Sequence, residues 1–430
     1  MSSTASHPQT TGKELAILLT LAAVQFTHIL DFMIMMPLGP QLMRAFEIGP
    51  GQFGRLVSTY GIAAAVMGFG AGFFLDRLDR KSVLLALYSG FGVATLACAL
   101  APNHHMLMLG RLAAGAFGGV ASSVVVAMVG DVVPPARRGR AMGLVMSAFP
   151  IASVLGVPLG LWLAGIFEWH APFFLLAGLS IPILALAAWA LPRIPAHHVP
   201  VHPWKQMTAI LSHPVHQRGF LLSAVLVFGG GCIIPYLAAS MVANVGLTEH
   251  QLPLIYLAGG LATLVTTPII GRLSDQYDKL HVLGWLSVGA SLVVLALTNL
   301  PPVSVGVSMA ITALFMVTMS GRFAPATAMM ANAVEGRYRG GFMSVNSAVQ
   351  QAGSGLANLT ASALVTSDAA GRLIGFPKVG VVAIICFVIT VYLAARLRAA
   401  APHAARPARL QLVPTVATAG EPPDRFVQEP

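Results

Sequence analysis

Two ionisable side chains sit where the sequence offers them no water. Asp31 lies inside one apolar stretch and Arg111 inside another. A carboxylate and a guanidinium in hydrocarbon are costly unless they pair or face a water-filled space. An acid that is paired in one state and released in another can exchange a proton against a second event. His28 stands nearly one helical turn before Asp31 on the same face and could relay that proton, and Gln25 extends the face as a hydrogen-bonding position. The plainer alternative is a structural Asp–Arg lock. A further cation within an apolar run, Arg322, follows Ser320 and Gly321 and precedes Pro325. It could meet an anionic group or a helix C-terminus. Asn346, Gln350 and Gln351 form a polar stripe, with Asn358 further along. Such a stripe in lipid faces a cavity or another helix.

The elements that must carry these groups follow from composition. The chain of 430 residues is 56% hydrophobic and 9% charged, with a mean hydropathy of +0.77. A soluble domain carries about 25% charged residues, so the bilayer is the expected solvent. A spanning helix needs about 20 mostly apolar residues. About twelve such spans are predicted, near 15–39, 52–75, 82–101, 104–129, 140–165, 171–191, 219–244, 251–273, 280–300, 303–330, 341–366 and 378–397. Asp31 then lies about 24 Å along its span from Leu15, and Arg111 about 10 Å in from the opposite end of the fourth, so their depths agree.

A short polar cluster, Gly72, Asp76, Arg77, Asp79, Arg80 and Lys81, separates the second and third spans. The second half repeats it as Gly271, Asp275, Asp278 and Lys279, and 271 − 72, 275 − 76 and 278 − 79 all give 199. Two similar halves with a site between them are implied. Gly72 lets helices approach closely, and Asp76 can accept from a helix start or pair with an arginine across the loop. Contacts of that kind, made in one conformation and broken in another, would act as a latch built from Gly72, Asp76, Arg77, Arg80, Gly271, Asp275 and Lys279. The basic residues are distributed unevenly. Nineteen Lys and Arg fall in the N-terminal segment, the alternate loops on its side and the C-terminal segment, against four in the loops of the other side. That bias predicts cytoplasmic termini. It also explains the formal net charge of +10 without nucleic acid.

The predicted organisation is a cytoplasmic N-terminus at 1–14, six-helix bundles at 15–191 and 219–397, a solvated Pro- and His-rich linker at 192–218, and a disordered cytoplasmic tail at 398–430. No metal site is expected of the linker, whose histidines (His197, His198, His202, His213, His216) have no carboxylate or Cys among them. Cys98, Cys232 and Cys386 read as small core residues. No phosphate loop of the Gly-x-x-x-x-Gly-Lys-Ser/Thr type is present, so no cofactor is expected and a proton gradient is the expected energy source.

The cluster at 72–81 resembles the loop signature of the major facilitator superfamily between helices two and three, with Asp79 standing where the family usually has Gly. Arg111 followed by Gly115, Gly118 and Gly119 is similar to the family's fourth-helix motif, with Ala114 in place of the usual Gln. Gly156, Pro158 and Gly160 look like the fifth-helix antiporter motif, with Val157 inserted between Gly and Pro. The resemblance covers the whole chain and implies an all-α integral membrane protein, twelve helices in two pseudo-symmetric bundles. It further implies a non-enzymatic secondary transporter of the cell inner membrane, exporting a small organic solute such as a drug or sugar against protons by alternating access. Its implied partners are the substrate, protons and the lipid bilayer, and it is expected to be a monomer. Uptake by symport on the same fold is the main rival. A channel or membrane enzyme would need a polar pore or a catalytic constellation, and a sensor would be expected to carry an added domain.

Overall fold

The computed structural model describes residues 12–71, 78–134, 137–194 and 203–406, with the backbone alone at 203–206 and 336–337. The N-terminal half comprises α1 (Gly12–Ile34), the short α2 (Gly39–Ala45), α3 (Pro50–Ala71), α4 (Arg80–Ala99), α5 (His104–Val132), a fifth span built from α6 (Arg138–Met146), α7 (Ala148–Ile151), a π-helical turn (Ala152–Gly156) and α8 (Val157–Phe167), and then α9 (Ala171–Ala190). After α10 (Pro203–Ser212), the C-terminal half comprises α11 (Pro214–Ala243), α12 (Leu252–Gln276), α13 (Lys279–Thr298), α14 (Val305–Gly321), α15 (Phe323–Ala333), α16 (Gly336–Leu364) and α17 (Phe376–Ala400). Ten of these spans are long and apolar enough to cross a membrane by composition. The other two long helices, α3 and α16, complete the twelve and pack along each other between the halves.

The core divides in a way that sets the shape. One cluster joins both halves, with Leu30, Ile34 and Phe53 of the first meeting Tyr236, Leu237 and Ala361 of the second. Two others belong to one half each, the first around Leu84, Tyr88 and Val125, the second around Leu222, Met329 and Phe342. The shared cluster lies at the end where α2 and the β1–β2 hairpin (Thr366–Ser367, Leu373–Ile374) sit; we call this the far face. The separate clusters lie at the opposite end, the linker face, where α9 ends and α11 begins. The two halves therefore meet at the far face and part toward the linker face. The glycines report the same geometry. A Cβ on Gly54 would collide with Tyr236 and Ser362, one on Gly61 with the backbone of Gln351 and Gly355, and one on Gly260 with Ser153 and Val154. Gly68, Gly70 and Gly271, nearer the linker face, have nothing within 4 Å of that position.

The antiporter-like stretch distorts its helix. Pro158 has no N–H for the carbonyl of Val154, and the chain takes a π turn over Ala152–Gly156 just before it. At the end of the turn Gly156 lies against Leu30, and beyond it Gly160 lies against Ile34, so this span rests directly on α1.

Two segments differ from expectation. Residues 192–218 are not an unstructured linker throughout. Pro203 and Pro214 stand in the first turns of α10 and α11, where a missing N–H costs nothing. His216 is buried, its ring 5.5 Å from that of Phe342. Residues 398–406 are likewise ordered. α17 runs to Ala400, a 3-10 turn follows at Pro402–Ala405, and Ala404 and Ala405 are fully buried. His403 Nε2 lies 3.1 Å from the carbonyl of Asn332, and Lys279 Nζ donates to the carbonyl of Arg406 at 2.7 Å. His197, His198, His202 and residues 407–430 lie outside the described residues.

Candidate functional site

The N-terminal half brings its polar groups together around α1. Arg111 Nη1 of α5 donates to Asp31 Oδ2 at 2.7 Å, and the two side chains are 1% and 0% exposed. The remaining carboxylate oxygen, Asp31 Oδ1, and Arg111 Nε have no hydrogen-bond partner. The guanidinium lies 4.4 Å from the ring centroid of Tyr60 on α3. The hydroxyl of Tyr60 in turn lies 2.6 Å from His28 Nδ1. His28 therefore does not touch Asp31 directly; it reaches the ion pair through the Tyr60 ring. Gln25 Nε2 donates to Ser122 Oγ at 2.9 Å and leaves its Oε1 unpartnered. Also on α1, Thr27 shares a hydrogen bond of 2.9 Å with the Tyr88 hydroxyl.

The small residues after Arg111 make this possible. A Cβ at Gly115 would strike the backbone of Tyr60, and one at Gly119 would strike Ala64. At Gly118 a Cβ would stand 2.7 Å from His28 Nδ1 and 2.9 Å from the Tyr60 hydroxyl. The glycine face of α5 thus lets α3 approach closely enough for Tyr60 to lie between the guanidinium and the imidazole. Tyr60 was not picked out from the sequence. Its signal is a phenol in a stretch of small residues, since a buried Tyr hydroxyl needs a partner.

The C-terminal half forms a separate cluster. Arg322, the single residue between α14 and α15, is 1% exposed and lies 3.9 Å from the ring centroid of Phe387. Gln350 Nε2 donates to Ser223 Oγ at 3.0 Å, and Asn346 is buried with its Oδ1 unpartnered. No hydrogen bond among the described residues joins Arg322, Asn346 or Gln350 to the Asp31 group.

Of the loop residues expected to form a latch, Arg80 and Lys279 make their contacts within their own halves. Gly72, Asp76 and Arg77 lie outside the described residues. Arg80 Nε lies 3.5 Å from Asp131, and Asp275 is exposed. Gly271 has open space at its Cβ position, on the side where the halves part. Asp79, in the position where the family signature has Gly, caps α4. It accepts from the amide and hydroxyl of Ser82 at 2.9 and 2.7 Å and from the amide of Ile194 at 3.0 Å. These bonds, the Ser82 hydroxyl foremost, hold its carboxyl below the usual range. Asp278 caps α13 in the same backbone conformation (φ −61°, ψ 123°, against −61° and 120° for Asp79) and pairs with Arg398 at 2.9 Å. A helix start in need of an acceptor explains the Asp in both halves.

The ties between halves lie at the far face. Arg44 of α2 makes a two-pronged ion pair with Glu249, just before α12, and Tyr236 donates to the Pro50 carbonyl at 2.8 Å. Neither was expected from the sequence, because each joins residues about 200 positions apart on elements of different halves.

Comparison with known proteins fits this architecture. The chain is 29% identical to the uncharacterized MFS-type transporter YceJ of Bacillus subtilis over 62% of its length and 70% of that protein's. It is 33% identical to a gallate transporter of Pseudomonas putida over 38% of its length and 36% of that protein's. A crystal structure of a bacterial homologue of the human lysosomal transporter Spinster, inward-facing and occupied, superposes with a TM-score of 0.73 at 15% identity, covering 93% of this chain and 99% of that one. The profile of the Major Facilitator Superfamily matches residues 21–228 and 219–421, which is nearly the whole chain. The protein belongs to the Major Facilitator Superfamily and is a membrane transporter rather than an enzyme.

Proposed function

We propose that the chain is a proton-coupled exporter of a small organic solute, with Asp31 as the group that carries the proton. The observation behind this reading is the Asp31–Arg111 pair, an ion pair sealed from water on one side of the central seam with one carboxylate oxygen left unpartnered. A proton on Asp31 weakens its hold on Arg111. A neutral acid beside a released guanidinium favours a different packing of α1 against α5, and α1 also bears the fifth span at Leu30 and Ile34. Protonation would in this way bias which face opens. The Tyr60–His28 contact offers a path for the proton toward the linker-face end of α1. The π turn and the glycines at 156 and 160 give the fifth span its bend against α1, in keeping with the antiporter resemblance. With the linker face in the cytoplasm, as the basic residues argue, the conformation described here opens inward, ready to load solute for export. No resident cofactor enters this reading; the proton gradient supplies the energy.

The test is proton flux in proteoliposomes carrying an imposed pH gradient, with a panel of drugs, sugars and aromatic acids, wild type against Asp31→Asn. A compound that collapses the gradient through the wild type and not through the variant supports export by antiport with Asp31 as coupling site. Equal movement in both makes Asp31 structural. Solute and protons entering together turn the direction to symport.

A further inference from the structure

Arg322 is a buried cation with no counter-ion among the described residues. Its Nε and Nη2 have no hydrogen-bond partner, and its Nη1 meets only the Met319 sulfur at 3.7 Å. No acid of the C-terminal half is placed to reach it. Every Asp and Glu between residues 214 and 406 stands at a helix end or in a loop: Glu249, Asp275, Asp278, Glu335 and Asp368. Arg322 is about 25 Å along the tenth span from Val305, well inside the membrane. A lone guanidinium in such a place is costly, and intramembrane charges left unpaired mark ligand or ion pathways.

A second feature points the same way. The span is interrupted at this residue. α14 ends at Gly321, and the 11-residue α15 begins at Phe323, with Pro325 removing a backbone donor. The start of α15 places its free backbone N–H groups beside the guanidinium, opposite the carbonyl end of α14, and broken helices at mid-membrane present such ends to ionic groups. The surroundings are apolar and adaptable. Phe387 stacks on the guanidinium, Met319 lies beside it, and Gly229 and Gly230 of α11 bring only backbone against Phe387 and Met319.

We infer that Arg322 anchors the charged end of the transported solute, which is a small organic monocarboxylate with an apolar body. The carboxylate completes the unfilled donors of Arg322 at the start of α15, and the body packs on the Phe387 and Met319 side, where a second charge would find no partner. This rests on the transporter reading above but not on its coupling site. Export of a monoanion held by Arg322 against a proton entering through Asp31 would move two charges in the same electrical sense per cycle, so the membrane potential would drive the exchange together with the pH gradient.

The experiment is thermal unfolding of the purified full-length protein at fixed pH, titrated with benzoate or cyclohexanecarboxylate, with their methyl esters, and with chloride. The acids are expected to raise the wild-type Tm in a concentration-dependent way, and the esters to leave it unmoved. Arg322→Met is expected to abolish the response. Arg322→Lys keeps the charge but loses the planar fork, and is expected to weaken the response about tenfold. Should Arg322→Met not fold, the wild-type contrast between acid and ester and the Arg322→Lys titration still decide. Equal stabilisation by acid and ester, an unchanged response in either variant, or stabilisation by chloride with none by the organic acids overturns the inference. The measurement uses no gradient. A failed Asp31→Asn flux result therefore leaves it standing, and a failed binding result leaves the coupling result standing.

Discussion

Arg111 and Arg322 are the same side chain, equally buried, each lying over an aromatic ring, yet they are housed in opposite ways. Arg111 rests on Tyr60 and is held by Asp31. Arg322 rests on Phe387 and is held by no acid. The repeat that relates the halves aligns Pro37 with Pro235, an offset of 198, and so sets Gly229 opposite Asp31. In the second half the carboxylate position has become bare backbone with Phe387 packed on it. The lesson is that the duplicated scaffold has divided its labour. One half keeps an internal ion pair that closes on itself, and the other keeps an open valence.

Truncating each arginine gives the largest expected contrast. Arg111→Met leaves Asp31 charged and alone in the core, and is expected to lower stability by about 3–5 kcal/mol in thermal unfolding. Arg322→Met removes a charge that nothing neutralises, and is expected to leave the unliganded protein unchanged or more stable by ~1 kcal/mol. Equal losses in the two variants would break the contrast. Next comes Gly118→Ala. Its methyl group has to displace His28 or Tyr60, so a loss of about 1–3 kcal/mol is expected, together with weaker proton coupling in the flux assay. Gly230→Ala in the other half meets only the flexible Met319 sulfur at 3.2 Å and is expected to cost less.

The far-face tie gives a smaller effect in energy with a distinct readout. Arg44 is 65% exposed, so Arg44→Ala is expected to change stability by only ~0.5 kcal/mol. Cysteine accessibility or spin-label distances should nevertheless shift toward a state open at the far face. The charge exchange of Arg44→Glu with Glu249→Arg should restore the starting distribution. A similarly modest effect belongs where the halves agree. Asp79→Ala removes a helix cap and is expected to cost about 1 kcal/mol. The Asp79 carboxyl is held below its ordinary value, so its stabilisation is complete above the unfolded carboxylate pKa of about 3.9 and fades as pH falls through the lower folded value. Wild type and variant should therefore converge in stability on acidification below about pH 4.

Much of this was legible in the sequence because the bilayer is a strict solvent. Charge in hydrocarbon must be answered, so the depths of Asp31 and Arg111, counted at 1.5 Å per residue, sufficed to pair them. The offset of 199 anticipated that Asp79 and Asp278 would occupy equivalent places, and both turned out to cap helices. Tyr60 stayed hidden because an aromatic in a span reads as packing until its hydroxyl is seen against His28. The order of residues 398–406 stayed hidden because short Ala- and Pro-rich runs have no periodicity to read, and their burial depends on α13 and α15. The Arg44–Glu249 tie was invisible for a related reason, since α2 and the turn before α12 meet only once the bundles are assembled.

The π turn at Ala152–Gly156 acts as a key that sets the register of the fifth span. One additional residue in a helical turn rotates everything beyond it by about 100°. Deleting a single residue there would give back regular helical hydrogen bonding and leave the span almost the same length. It would also swing Gly156 and Gly160 away from Leu30 and Ile34 and bring bulkier side chains to that contact. A change that tidies the local geometry would thus wedge the fifth span off α1.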